Sequence, residues 1–418
     1  MYGEGKTRGK VSELKIDATT NQACAALIFD GATECLKPYI KLYFLKNYQD
    51  IRRQSSGGVQ PNLNLSIIKQ TQVPLAPLNE QHRIVAAIET QFTRLDAAVT
   101  ALKRSQANLK RYRAAVRKAA CEGRLVPTEA ELAQAEDRSY EPASVLLERV
   151  ARLRSQTLEE EYPNEAEART QLRKQKQQSI PVGLSELPTG WTWATLMQCS
   201  LVLVDCHNKT APYTDSGVIL LRTSNIRNGK LLLDDVAYIT EDTFKRWAAR
   251  TTPQAGDILI TREAPMGEVC IIPDGIQVCM GQRMMLIRVV PDTILREFLL
   301  YSLQDPDLMR RVQDKPVGVT VQHLRVGGIE TLLVPVPPLA EQQRIVAEVE
   351  RRLSLIDQLE KTVAADLARA NRLRQSILKR AFAGQLVPQD PDDEPAAVLL
   401  ERIQAAKHGQ PAQAKLPL

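Results

Sequence analysis

The side chains that could do chemistry are scattered thinly along 418 residues. Gly5-Lys6-Thr7 ends like a phosphate-cradling loop, but that motif needs another glycine five residues ahead of Gly5. A Gly-x-Gly-x-x-Gly run for a dinucleotide or methyl donor is absent, and so is an Asn-Pro-Pro-aromatic or Asp-Pro-Pro-aromatic adenine-methylating motif. The Pro-Asp pairs at 273–274, 291–292, 306–307 and 391–392 lack the downstream acidic-x-Lys of a nuclease centre. Cys199, Cys206 and His207 invite a zinc reading, yet a structural site wants four ligands in tighter pairs. These three read better as core thiols and a surface histidine. The pattern points to a chain that binds rather than catalyses, with no metal and no cofactor expected.

Composition narrows the class. The net charge is +6, apolar residues make up 44% and aromatics only 5%, which favours long helices over an aromatic-rich sandwich. No apolar run approaches the length of a bilayer span. The first residues are polar, and the seven cysteines form no Cys-x-x-Cys pair, so reduced thiols and a cytoplasmic location are expected.

The elements that would position a binding surface are revealed by a repeat. Residues 73–127 align without a gap to residues 334–388, with 21 of 55 positions identical. Each copy opens on a Pro-rich stretch ending Pro-Leu (Pro77-Leu78, Pro338-Leu339). Each carries Glu-Gln-x-Arg-Ile-Val (from Glu80 and from Glu341) and ends at a glycine (Gly123, Gly384) followed by Leu-Val-Pro. Proline at the start and glycine past the end bracket a long helix. Its apolar positions fall on a heptad seam: Phe92, Leu95, Val99, Leu102, Leu109, Val116 and Ala120, then Leu353, Ile356, Val363, Leu367, Ala370, Ile377 and Ala381. Gln106, Arg113, Glu360 and Arg374 interrupt the seam, as register-fixing polar residues do. Two such helices pairing antiparallel inside one chain is the expectation. An amphipathic helix packed on its own domain is the alternative.

The fold class is α+β. Residues 187–333 mix strand-like runs (217–222, 256–260, 284–290) with one or two helices over 292–313. Residues 1–72 match the rear part of that unit: Gly9-Lys10-Val11 aligns with Gly267-Glu268-Val269, and Asn21-Gln22 with Gly281-Gln282. The expected organisation is therefore 1–72, the rear of a first domain; 73–127, a long helix; 128–186, a charged helical linker; 187–333, a second, complete domain; 334–388, a second long helix; and 389–418, a tail. The basic excess lies in residues 1–72 and the two helices and is offset by the acidic linker. Basic helices suit phosphate backbone, although a charge run also serves as a solvated face.

The motifs together resemble the specificity subunit of a type I restriction-modification system. They are Leu187-Pro188-x-Gly190-Trp191, the run Leu221-Arg222-Thr223-Ser224-Asn225-Ile226-Arg227-x-Gly229, the run Gly256-Asp257-Ile258-Leu259-Ile260-Thr261-Arg262, and Gly318-x-Thr320-x-x-His323-Leu324, with the two Glu-Gln-x-Arg-Ile-Val helices. The resemblance implies two target-recognition domains, the first one partial, held apart by paired helices that act as a ruler between the halves of a split DNA site. It implies double-stranded DNA, two methyltransferase subunits and, through them, restriction-translocase subunits as partners, with no membrane. Base readout uses paired donors and acceptors, Arg on guanine and Asn or Gln on adenine. The residues this selects in the second domain are Thr223, Asn225, Arg227, Thr261, Arg262, Gln282, Arg283, Thr320, Gln322 and His323. In the first they are Lys6, Thr7, Arg8, Lys10, Asn21, Gln22, Gln60 and Asn62. Each has a competing role in capping or shaping the fold. Arg227 and Lys10 suit phosphate better than bases. A protein-binding coiled-coil scaffold without DNA specificity is the rival.

Overall fold

A computed structural model describes residues 1, 9–29, 31–54, 63, 65–313 and 324–408. The chain divides into two compact units, Met1–Ala107 with Glu360–Leu418, and Asn108–Leu359.

The first unit contains α1 (Lys37–Lys46), α2 (Tyr48–Gln54), α3 (Leu65–Gln70), the opening part of α4 (Leu78–Cys121), the closing part of α12 (Leu339–Ala381) and α13 (Ala396–His408). Ile84 and Ile88 of α4 meet Ile377, Leu378 and Ala381 of α12 in a core completed by Tyr39 and Leu42 of α1. Farther along the same helix pair, Arg374 bonds Asp96 and sits 4.3 Å over the Phe92 ring. The polar break in the seam is therefore a cross-helix clamp. Leu95, Val363 and Ile377 are buried, and Phe92, Val99, Leu102 and Leu367 half-buried.

The second unit contains the rest of both long helices. Between them come α5 (Glu129–Ala135), α6 (Ala143–Gln156), α7 (Glu165–Lys176), β1 (Thr192–Thr195), β2 (Ser200–Asp205), β3 (Val218–Leu221), β4 (Ile226–Arg227), β5 (Lys230–Leu231), β6 (Ala237–Ile239), α8 (Glu241–Trp247), β7 (Ile258–Thr261), β8 (Val269–Ile271), β9 (Val278–Met280), β10 (Met284–Val289), α9 (Arg296–Leu303), α10 (Pro306–Gln313), α11 (Val326–Glu330) and β11 (Leu333–Val336). A four-stranded antiparallel sheet runs β2-β10-β7-β8. Beside it lies a three-stranded sheet, β6-β3-β9, whose β3–β9 pair is parallel. The strands Ser-Leu-Val-Leu-Val-Asp and Ile-Leu-Ile-Thr are apolar on both faces because both faces are covered. Residues from α6, α7 and α9, among them Leu146, Val150, Ala168 and Leu299, join the strands in one core. At the free edge of β2, the Gln171 side chain imitates a strand: its Oε1 accepts from Leu203 N (3.0 Å) and its Nε2 donates to Leu203 O (3.1 Å). Arg154 is 1% exposed and donates to Gln198 O at 2.5 Å, and burial lowers its pKa to about 10.

In this unit too the helices run antiparallel. Val116 and Ala120 of α4 pack with Ile345 and Val349 of α12, and Arg113 bonds Asp357 at 2.5 Å. Val116 and Ile356 are buried, Leu109 and Leu353 half-buried.

Both helices end alike. Arg124 N donates to Ala119 O and Gln385 N to Arg380 O, each at 2.9 Å, closing the last turn around a left-handed glycine, Gly123 (φ 65°) or Gly384 (φ 69°). The surroundings differ. A Cβ on Gly123 would lie 2.5 Å from Pro188 Cγ, whereas one on Gly384 meets only the tip of Gln389 at 3.3 Å. Gly123→Ala is expected to cost about 2–3 kcal/mol, left-handed strain plus a clash with a rigid ring, and Gly384→Ala only about 1 kcal/mol. Thermal unfolding of the two variants would measure the difference.

Candidate nucleic-acid interface

The Glu-Gln-x-Arg motif is a clasp that fixes α12 to the strands and helices of the second unit. Glu341 is wholly buried and accepts from Glu129 N and Trp191 Nε1, both at 2.9 Å. Burial pushes its pKa up against these two donors. Gln342, also wholly buried, accepts from Leu295 N (2.9 Å) and donates to Pro337 O (3.0 Å). Arg344 reaches Pro127 O (3.5 Å) and the Glu129 carboxylate (2.7 Å). The sequence displayed this motif only as a repeat signature. Its recurrence as one unbroken block was the available signal for a shared packing role.

Loops carrying the base-reading residue types converge at one end of the four-stranded sheet, where β2 and β7 finish and β10 begins. Arg262 N donates to Arg283 O (2.7 Å), which ties the residue after β7 to the residue before β10. Arg262 Nη1 meets Asp205, at the end of β2, at 2.8 Å, and both side chains are largely covered. Arg283 has a positive φ of 68°, stands 55% exposed and touches Glu263 at 3.0 Å. Gln282 donates to Asn208 O (3.0 Å) and accepts from Thr210 Oγ1 (3.3 Å). Leu324 N donates to Arg262 O (2.9 Å), bringing the chain that follows residues 314–323 to the same place.

Thr223 lies close by, its Oγ1 donating to Ala264 O at 3.2 Å. Arg227 is half-buried and donates to Thr223 O (2.7 Å) and Ile226 O (2.5 Å). Asn225 and Thr261 are used inside the fold. Asn225 is 3% exposed, accepts from Arg222 N (2.8 Å) and donates to Leu232 O (3.1 Å) and Asp235 O (2.7 Å). Thr261 is fully buried, donates to Pro265 O (2.6 Å) and accepts from Glu268 N (3.0 Å). Neither has a free edge for a base, and both shape loops beside those that do. In the first unit Lys10 and Gln22 are exposed, and Asn21 accepts from Ala23 N at 3.2 Å in a local turn. Lys6, Thr7, Arg8, Gln60, Asn62, Thr320, Gln322 and His323 lie outside the described residues.

Sequence reading passed over one surface feature. His207 stacks on Trp247 with ring centroids 4.4 Å apart, and Arg246 lies 5.8 Å over the indole. The Trp247 Nε1 donates to Lys209 O at 3.2 Å. A tryptophan directly after Lys245-Arg246 was the clue. Cys199 and Cys206 are buried in the core, and burial pushes the Cys199 thiol up to about 12. Among the described residues no three His, Cys, Asp or Glu gather as a metal site, and no helix is long and apolar enough to cross a membrane.

A clasped pair of long helices, repeated, with an α+β unit whose donor-bearing loops gather at one sheet end, defines a protein built for recognition. Residues 1–108 and 206–368 match the family described as the type I restriction modification DNA specificity domain. The chain belongs to that family. It is 27% identical to the type I restriction enzyme EcoBI specificity subunit of Escherichia coli over 368 residues, covering 85% of this chain and 69% of that one. Against the EcoAI specificity subunit of Escherichia coli the identity is 27% over 386 residues, 78% of this chain and 61% of the relative. Against the EcoKI specificity subunit of Escherichia coli strain K12 it is 27% over 371 residues, 84% and 68%. The chain thus spans about two thirds of the length of these relatives. A solved chain from a study of complex assembly and conformational transition in the type I R-M system shares the fold, with TM-score 0.54, 20% identity, and coverage of 84% of this chain and 71% of the other.

Proposed function

We propose that this chain is the DNA-reading subunit of a type I restriction-modification complex and does no bond chemistry itself. The observation that carries the reading is the family match over both repeats, together with the convergence of Arg262, Gln282, Arg283 and Thr223 at one sheet end. Arg283 is the exposed cation of that group, and Arg262, held by Asp205, has its remaining donors fixed in direction. A guanidinium positioned by a carboxylate suits the two acceptors of a guanine edge, whereas an exposed arginine suits phosphate. Asn225, Thr261 and Arg227 position these loops rather than touch bases. Lys10, Asn21 and Gln22 are the counterparts for the other half-site. The residues at 6–8, 60, 62, 320, 322 and 323 belong to the same proposal on sequence grounds. The seam residues of α4 and α12 set the pairing of the helices.

In this reading double-stranded DNA is the ligand and the target is in two parts. The repeated clasp offers two like surfaces to two methyltransferase subunits, through which restriction-translocase subunits are recruited. The complex works in the cytoplasm. Mapping methylated adenines in a host carrying the complete gene set tests this: a bipartite motif should vanish when this gene is deleted. A gel shift with the methyltransferase subunit should show duplex affinity that falls as salt rises. No duplex affinity at low salt would leave the protein-binding scaffold as the better account.

A further inference from the structure

The loop that leaves β2 is short, polar and closed on itself. Cys206 N still follows the sheet, donating to Met284 O at 3.1 Å. After it come His207, half-buried, and then Asn208, Lys209 and Thr210, all exposed. Two side chains hold the middle of this loop by both main-chain groups of one residue. Lys209 N donates to His207 Nδ1 (3.3 Å), and Lys209 O accepts from Trp247 Nε1 (3.2 Å). The two rings stack with centroids 4.4 Å apart, and Trp247 packs in turn on the core of the three-stranded sheet, with Val218, Leu220, Ile239 and Phe244. An exposed loop is thereby anchored to a buried core.

The residues on either side of Lys209 grip one amide. Gln282 Nε2 donates to Asn208 O at 3.0 Å, and Thr210 Oγ1 donates to Gln282 Oε1 at 3.3 Å. A main-chain carbonyl can only accept, so Asn208 O admits the NH2 end of the amide and repels its oxygen end. The loop therefore sets which way the Gln282 amide faces. After these two bonds the amide keeps one N–H and one oxygen lone pair to offer, in a fixed order. A donor beside an acceptor is the complement of the adenine edge, where N7 accepts and N6 donates.

We propose that His207 and Trp247 are positioning residues for base readout. They fix the main chain at Lys209, which fixes Asn208 O and Thr210, and these orient the Gln282 amide for adenine. The inference rests on the reading of this chain as a DNA-reading subunit and adds to it the residues that aim one reader. His207 acts as a neutral ring with a bare Nδ1, the acceptor that Lys209 N requires. Asparagine in its place keeps an acceptor near that position, whereas phenylalanine keeps the stacked ring and has none.

The experiment uses the full chain assembled with its methyltransferase subunit. Affinity is measured for the duplex recovered by methylation mapping and for an unrelated duplex of the same length at the same salt concentration. His207→Phe and Trp247→Phe are each expected to lower the ratio of the two affinities about 3- to 10-fold, the range of one lost hydrogen bond. His207→Asn should stay within about twofold of the parent. The decisive arm is a double variant, because a role confined to folding does not depend on Gln282. In a chain already carrying Gln282→Ala, His207→Phe should change the ratio by less than about twofold, since no amide is left to aim. Equal effects of His207→Phe with and without Gln282 would overturn the proposal, as would an unaltered ratio in both phenylalanine variants or no rescue by asparagine. A parent chain that binds both duplexes alike would overturn the DNA reading itself, and this proposal with it.

Discussion

Glu341→Ala is expected to destabilise the second unit by about 2–5 kcal/mol, because it strands two buried donors, Trp191 Nε1 and Glu129 N, each costing about 1–3 kcal/mol when unpaired. An opposing effect is present. Burial raises the Glu341 pKa, so the fold bears a cost for the ionised carboxylate that alanine removes. Two orphaned donors outweigh it, since each is buried with no water to replace the lost acceptor. The sign of the pH dependence follows. A carboxyl whose folded pKa is raised contributes stability that is fully present below its unfolded value and is lost as pH rises through the folded value. The deficit of Glu341→Ala relative to the parent chain should therefore widen in acid and narrow towards neutrality. All three tryptophans, 191, 193 and 247, lie in the second unit, so their fluorescence reports its unfolding. The repeat supplies the control. Glu80→Ala removes no hydrogen bond among the described residues and should shift stability by less than about 1 kcal/mol, read by circular dichroism. Equal losses at Glu80 and Glu341 would refute the assignment of the Glu341 effect to its two hydrogen bonds.

That contrast shows where sequence reading succeeds and where it stops. The long helices were legible because everything defining them is local: a Pro-Leu start, a heptad seam and a glycine stop, each present twice. Strands β3, β7 and β10 were legible as apolar runs between turn signals. The bond between Trp191 and Glu341 was not, because it joins residues 150 apart and neither type announces its partner. Burial also inverted some readings. Asn225 and Thr261 have the donors and acceptors of base-reading residues, but the fold spends them on Leu232, Asp235, Pro265 and Glu268. Residue type gives the capacity to bond and not the direction in which it is used. The match of Gly9-Lys10-Val11 to Gly267-Glu268-Val269 and of Asn21-Gln22 to Gly281-Gln282 was visible in the sequence. Yet β8, β9 and β10 are strands only because β7, β3 and β2 pair with them, and the described part of residues 9–29 contains no strand.

Arg262→Ala is expected to weaken binding to the duplex recovered by methylation mapping about 10- to 100-fold, the range of one lost bidentate base pairing. Two effects add. The guanidinium that Asp205 holds at 2.8 Å disappears, and the Asp205 carboxylate, largely covered, is left at this sheet end without its counter-charge. Asp205→Ala should weaken binding less, because it removes the positioning group and leaves the cation. Arg283→Ala supplies the comparison. An exposed arginine on phosphate should lose affinity nearly equally for matched and unrelated duplexes and should lower the slope of log affinity against log salt by about 1. Arg262→Ala should instead compress the ratio between matched and unrelated duplexes. Titrations of both variants at several salt concentrations, with tryptophan melting curves to confirm that each folds, separate the two roles. If Arg262→Ala weakens both duplexes alike while its melting curve is unchanged, Arg262 holds the backbone and the base-reading edge lies elsewhere at this sheet end.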